Sequence, residues 1–273
     1  MVKQIVFIIA LVMTLAVFLY TISRLYKFFG FTKPFALGRW GKRFSVMFKV
    51  AFFQSKIFRR PVIGFFHALV FWGFCVILIG SIEMVIDGVS GTERALSCLG
   101  VFYDIITASG DIFALLIIVS IIIFLVRRVF LKVKRFEGIE MKPKNHWDAA
   151  LALTMILLLM ISLLGMITFY LTSCELLNHE VHGTFPVSSF LAGWIGVGEE
   201  DYVFYQFFWW VHILLIFVFA NILPYSKHFH IFMSVFNVFL CKLDPLGKLP
   251  NMEHVTREVK MMLDPSLAYA EPP

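Results

Sequence analysis

The stretch VFYQFFWWVHILLIFVFANILP, residues 203–224, decides the fold. From Val203 to Leu223 it holds no Asp, Glu, Lys or Arg and a single histidine, His212, and Pro224 closes it. At a rise of 1.5 Å per residue, about 20 such residues cross a hydrocarbon layer of about 30 Å. Four runs of the same kind precede it: Ile5–Ile22, Pro61–Ile86, about Phe102–Val126 with a polar start at Asp104, Ser109 and Asp111, and Ala149–Leu171. Inside lipid every backbone N–H and C=O needs a partner in its own segment, so each run reads as a helix. The composition agrees: 60% of the 273 residues are hydrophobic and 15% charged, against roughly 25% charged in a soluble domain. A soluble globule and a disordered chain are both excluded. The expected fold is an all-α membrane protein, a bundle of five transmembrane helices in residues 1–240 with a polar tail at 241–273.

Charge gives an orientation. The loop between the first and second runs carries Arg24, Lys27, Lys33, Arg39, Lys42, Arg43, Lys49, Lys56, Arg59 and Arg60 and no acid. The loop between the third and fourth carries seven Lys and Arg residues, from Arg127 to Lys144, against Glu137 and Glu140. The other two loops are acidic, with Asp87 and Glu93 in one and Glu175, Glu180, Glu199, Glu200 and Asp201 in the other. The positive-inside rule puts the basic loops and the C-terminal tail in the cytoplasm and the N-terminus outside. The net charge of +6 then serves topology and anionic lipid, and calls for no nucleic acid. The first run reads as a retained span, since only Lys3 precedes it and no small-residue cleavage site follows.

Between Phe44 and Phe58, apolar residues recur at helical spacing opposite Lys49, Gln54 and Lys56, the pattern of a helix lying in the membrane interface. The loop from Thr172 to Tyr202 is long enough to cap one mouth of the bundle. Glu83 and Asp87 close the second span, as interface residues or as carboxylates that exchange protons with a quinone. Cys75, Cys98, Cys174 and Cys241 show no C-x-x-C spacing, so this chain has no cysteine cradle for an iron–sulfur cluster or zinc. Cys98 and Cys174 both fall in outer loops, where a disulfide is permitted.

The histidines carry the chemistry, because an imidazole inside a bilayer is a functional hypothesis by default. His67 lies near the cytoplasmic end of the second span. His228 and His230 lie just beyond Pro224, at the same depth. Two facing imidazoles are what a low-spin b-type haem needs, and its propionates want cations, for which Arg59, Arg60 and Lys227 are suitably placed. Eighteen residues are five turns of a helix, so His230 shares a face with His212 and is preferred over His228 unless Pro224 disturbs the register. His146 and His254 read as surface residues.

The segment WWVHILLIFVFANILPYSKHFHIF, residues 209–232, resembles the last span of the respiratory nitrate reductase gamma subunit and, more closely, that of membrane cytochromes b of heterodisulfide-reductase-like complexes. The shared features are His212 inside the span, then Pro224-Tyr225-Ser226-Lys227, then His230-Ile231-Phe232. FFHALVFWGF, residues 65–74, adds His67 at the first ligand position of that family. The resemblance implies an inner haem on His67 and His230, and an outer one on His212 and a residue ten positions after His67. That position is Ile77. Three readings of His212 therefore stand: a packed or carbonyl-bonded histidine, a wall of a quinone site near the outer face, or a ligand to a second haem with His179 or His182.

The expected function is that of a haem b-containing membrane subunit of a quinone-linked oxidoreductase in the inner (cytoplasmic) membrane of a bacterium or archaeon. It passes electrons between the membrane quinone pool, menaquinone or another, and a cytoplasmic iron–sulfur subunit docked on the tail and basic loops. The iron–sulfur cluster belongs to that partner. The chain is then an electron-transfer subunit rather than an enzyme alone, and the alternative is a cofactor-free membrane anchor or scaffold. A transporter fits less well, because five spans do not divide into matched halves.

Overall fold

A computed structural model describes residues 2–31, 37–131, 143–244, 247 and 252–266. Among the described residues the regular structure is helical, and five helices are long and apolar enough to cross a membrane. They are α1 (Val2–Tyr26), α3 (Pro61–Ser90), α4 (Val101–Val129), α5 (Pro143–Leu177) and α7 (Asp201–Ile222). Each expected span is present, longer by up to a turn or so at its ends. The described residues also hold four shorter α-helices: α2 (Trp40–Met47), α6 (Pro186–Ile195), α8 (His230–Phe239) and α9 (Glu253–Leu263).

Helices α3, α4, α5 and α7 form the body, α5 packing along α7 and α3 along α4. Two apolar clusters fill it. One gathers Phe7, Met84, Met166, Tyr170, Tyr205, Trp209, Ile213 and Phe217, and the other Ala114, Ile117, Ile121, Met155, Leu159, Leu164, Phe219 and Leu223. Every long helix carries exposed large apolar side chains on its outward face, the surface a lipid solvent asks for.

Helix α1 is the peripheral member, mostly exposed and held by a few contacts. Phe7 is fully buried, seated against Gly88 and tilted against the rings of Trp209 and Phe217. Thr21 Oγ1 and the Tyr225 hydroxyl lie 3.0 Å apart, and Asn221 donates to the Thr14 carbonyl at 3.4 Å. Lys3 donates to Gln206 at 2.8 Å.

At the acidic end of the bundle the long loop folds into α6, laid against α4 and α5. Asp111, read from sequence as part of a polar helix start, is buried and caps this helix from a distance. It accepts from Val187 N–H at 2.7 Å, Ser188 N–H at 3.0 Å and Ser188 Oγ–H at 2.6 Å, serving donors that a helix start leaves unpaired. Glu83 accepts from Leu96 N–H at 3.0 Å and Tyr103 O–H at 3.1 Å. Asp87 accepts from Thr92 Oγ1 and from the amides of Arg94 and Ala95. Cys98 is exposed and Cys174 buried, and both are free thiols, so the permitted disulfide is not formed.

At the basic end the expected interfacial helix is shorter than read and is not isolated. Helix α2 runs on through a π-helical turn at Phe48–Phe52, and both pack on α8. Trp40 and Phe44 meet Phe239, with ring centroids 5.7 and 5.0 Å apart. The tail forms the one helix its pattern suggested, α9. Lys33, Lys132, Lys134, Arg135, Glu137, Glu140 and Lys142, and the side chains of Lys144 and His146, lie outside the described residues.

A Cβ added to Gly88 would sit 2.5 Å from the Phe7 ring. Gly88→Leu is therefore expected to push α1 off the bundle and cost about 1–3 kcal/mol, the usual scale of overpacking. The thermal midpoint in detergent checks this, and Phe7→Ala in the same chain should restore part of the loss.

Candidate functional site: a histidine pair at the basic end

Helix α7 does not continue to His230. Pro224 has no amide hydrogen, and the chain passes through a 3₁₀ turn at Leu223–Tyr225, an extended Ser226 and a second 3₁₀ turn at Lys227–Phe229 before α8 begins. The five-turn arithmetic that put His212 and His230 on one continuous face therefore does not hold. The break has a different effect: it starts α8 at His230, next to the second turn of α3, where His67 sits.

The rings of His67 and His230 have centroids 6.3 Å apart at an interplanar angle of 35°. His67 is half-buried, and its Nδ1 is fully buried with no hydrogen-bond partner among the described residues. His230 is exposed. His228 stands 6.1 Å from His230, its Nδ1 3.0 Å from Ser226 Oγ, and that same oxygen accepts from the His228 amide at 3.2 Å. Burial, with His230 adding to it, holds the His228 imidazole below its usual pKa, so this ring is neutral near pH 7. The structure thus pairs His67 with His230 and gives His228 to the turn.

Two axial metal–nitrogen bonds of about 2 Å each, plus roughly 1 Å from nitrogen to ring centre on either side, separate a bis-imidazole pair by about 6 Å. The His67–His230 pair has that spacing, and the orphaned ring nitrogen is a buried polar atom without a partner, so these residues fit a haem iron. Arg59 ends a 3₁₀ turn at Ile57–Arg59, and Arg60 immediately precedes α3. Both are exposed, about two turns from His67, and neither guanidinium has a hydrogen bond among the described residues. The Lys227 side chain lies outside the described residues.

Helix α8 is held from its far end. Arg43, 5% exposed, donates from Nε to the Gly38 carbonyl at 2.9 Å and from Nη1 to the carbonyls of Phe239 and Cys241 at 2.8 and 3.0 Å. A guanidinium on the last carbonyls of a helix satisfies acceptors that the helix leaves open. Arg39 adds a bidentate pair with Asp244 at 3.0 and 3.1 Å. Phe232 meets Phe74 of α3 edge-on at 6.1 Å, closing the wall beside the pair. Sequence reasoning missed Arg43, because nothing distinguishes it among its basic neighbours until α8 is seen beside it.

His212 lies elsewhere, 1% exposed between α5 and α7, with Nδ1 2.9 Å from Ser162 Oγ. His179 and His182 are exposed in the loop before α6, and His182 N–H donates to the Tyr170 hydroxyl. The residues here do not fit a second haem: Ile77 stands where the opposing ligand would be, and neither loop histidine is brought to His212. Among the described residues no group of three or more His, Cys, Asp or Glu could hold a metal ion.

The chain is similar to two curated proteins. It is 30% identical over 221 residues to the probable iron–sulfur-binding oxidoreductase FadF of Bacillus subtilis, covering 79% of this chain and 29% of that one. It is 24% identical over 207 residues to the EtfAB:quinone oxidoreductase of Syntrophomonas wolfei subsp. wolfei, covering 72% of this chain and 28% of that one. The chain thus spans less than a third of the length of these relatives. No family model matches it, and no solved structure does. The chain is related to oxidoreductases, and neither relative is a nitrate reductase gamma subunit or a heterodisulfide reductase cytochrome by name.

Arg43→Met removes a charged donor from three carbonyls; one hydrogen bond to a charged group is worth about 1.5–3 kcal/mol, and the carbonyls freed at a helix end are rehydrated by water. The expected loss is about 2–3 kcal/mol, concentrated in α8. Hydrogen exchange should rise in residues 230–239 and stay unchanged in α4 and α5.

Proposed function

We propose that this chain is the haem b-binding membrane subunit of a quinone-linked oxidoreductase, moving electrons between an iron–sulfur partner and the quinone pool. The observation that carries the reading is the His67–His230 pair, two imidazoles 6.3 Å apart on separate helices at the basic end. His67 and His230 are the proposed axial ligands, and Arg59, Arg60 and Lys227 the proposed partners of the propionates. A haem bound there supplies a one-electron redox centre.

The chain's own part is to hold the two rings at the spacing an iron demands. Helix α3 fixes one, and the Arg43 clamp on α8 fixes the other. The pair stands at the end where the basic loops and the tail gather, which in the proposed orientation faces the cytoplasm, with the N-terminus outside. The iron–sulfur partner docks at this end, on α9 and the basic loops. Helix α9 offers Val255, Val259, Met262 and Leu263, all exposed. The relative named as iron–sulfur-binding supports this side of the reading, and the one named EtfAB:quinone oxidoreductase supports the quinone side. Each quinone reduced takes two electrons and two protons, and the quinol returns the same on oxidation. The finer resemblance to nitrate reductase gamma and heterodisulfide-reductase-like cytochromes b supplies the ligand map, and with Ile77 in place of a histidine it supplies it for one haem. The proposed location is the inner (cytoplasmic) membrane of a bacterium or archaeon.

A pyridine haemochrome assay on the purified chain should count one haem b per chain. His67→Ala and His230→Ala should each abolish the low-spin spectrum, while His228→Ala should retain it. A colourless intact chain, or an unchanged spectrum in both ligand variants, would leave only a cofactor-free membrane anchor.

A further inference from the structure

The acidic half of the bundle encloses a cavity of about 220 Å³ between α1, α3, α4, α5 and α7. We propose that it binds the head group of a para-quinone, in the space that a second haem would otherwise need. The inference rests on the quinone linkage proposed above and gives that linkage a place.

Position is the first argument. Ile77 and His212 both line the cavity, the very pair of positions that a second haem would bridge. With Ile77 on one wall there is one nitrogen ligand and no partner. The volume falls below the roughly 300–1,000 Å³ of pockets for drug-sized ligands, so a one- or two-ring head group is accommodated and a macrocycle is not. Gly80 and Gly110 form part of the lining, and a Cβ added at either meets nothing within 4 Å. The space beside both glycines is therefore open, and a larger side chain at either would project into it.

Hydrogen-bonding capacity is the second. Ser162 Oγ–H donates to the Leu159 carbonyl at 2.9 Å, so the His212 Nδ1–H donates to Ser162 Oγ. That tautomer leaves Nε2 with its lone pair for the cavity that the ring lines, an acceptor suited to a quinol O–H. Tyr205 also lines the cavity, and its hydroxyl has no hydrogen-bond partner among the described residues, a donor suited to a quinone carbonyl. Most of the cavity's ionisable groups are engaged: Glu83 and Asp87 with loop amides, Asp111 with α6, Lys3 with Gln206, and Arg94 over the rings of Tyr170 and Phe185 at 4.4 and 5.0 Å, while Glu93 is exposed. Four lining carboxylates, Glu83, Asp87, Glu93 and Asp111, against Lys3 and Arg94 disfavour an anion, and His212 Nε2 and the Tyr205 hydroxyl offer an acceptor and a donor to a neutral ligand with oxygens at both ends. Ile77 is ten residues, about 15 Å of helix rise, from His67 on α3.

The test uses the purified full chain in detergent with a short-chain menaquinone, binding being read by quenching of tryptophan fluorescence. The expected result is saturable binding that Gly80→Leu and Ile77→Trp each weaken at least tenfold, with the haemochrome spectrum unchanged. Label from a photoreactive azidonaphthoquinone should fall on peptides from residues 76–111 or 202–212. Quinone that binds the native chain but is indifferent to both variants, with label elsewhere, overturns the cavity and leaves the quinone linkage standing. No binding to the native chain overturns both. Two haems per chain, one of them lost in His212→Ala, overturns the cavity assignment alone.

Discussion

Pro224 sets the constraint on which the rest of the site depends. A helix that continued through this position would carry His230 straight out of the membrane along the axis of α7. Without an amide hydrogen at residue 224 the ladder stops, and Ser226 turns the chain with its hydroxyl accepting from the His228 amide. The chain then starts a new helix whose first residue is His230. That helix is ten residues long, too short to be stable alone, and it exists because something holds it. Trp40 and Phe44 cover Phe239, and Arg43 takes the carbonyls beyond it. The loop between α1 and α3 is therefore a structural part of the histidine pair.

The same economy appears at the opposite end. Glu83, Asp87 and Asp111 are among the carboxylates buried or partly buried there, a costly arrangement unless each is hydrogen-bonded. Each spends its acceptors on backbone amides: Glu83 and Asp87 on residues 94–96, Asp111 on the start of α6. These bonds tie the connecting segments down onto the bundle. They also explain why a loop that is long by ordinary standards is ordered: its middle is a helix capped by a residue 76 positions away in sequence.

Much of this was legible from sequence, for physical reasons. Span number and position follow from hydropathy and length, because lipid tolerates few alternatives, and all five runs are helices. The His67–His230 choice followed from depth along two helices, which charge and length set independently of packing. The helix-face arithmetic that preferred His230 over His228 does not hold, since Pro224 breaks the register; depth alone placed both histidines near His67, and the ring that stands 6.3 Å from it is His230. What stayed illegible depends on which segments touch. Arg43 has the same local surroundings as Lys42, and only the position of α8 separates them. Asp111 was visible as an acid at a helix start, but its partners lie beyond the next span. Ser162 and Tyr205 carry no signal at all in a chain this apolar, although both bear on what the cavity can hold.

The two ends divide the chemistry by charge. At the basic end the histidine pair is flanked by Arg59 and Arg60, whose guanidiniums are uncommitted among the described residues. Such a site favours a cofactor with anionic edges. At the acidic end the carboxylates of Glu83, Asp87, Glu93 and Asp111 outnumber the cations Lys3 and Arg94 around the cavity, and His212 and Tyr205 add hydrogen-bonding groups without formal charge. An anion placed there would face the excess of carboxylates, and drawing Arg94 from its two aromatic faces to meet it would cost of the order of 1–2 kcal/mol. A neutral ring with two oxygens displaces nothing. The electrostatics of the unliganded chain thus sort two classes of ligand to its two ends, and the residues between them, from Ala68 to Val76 on α3, carry no formal charge.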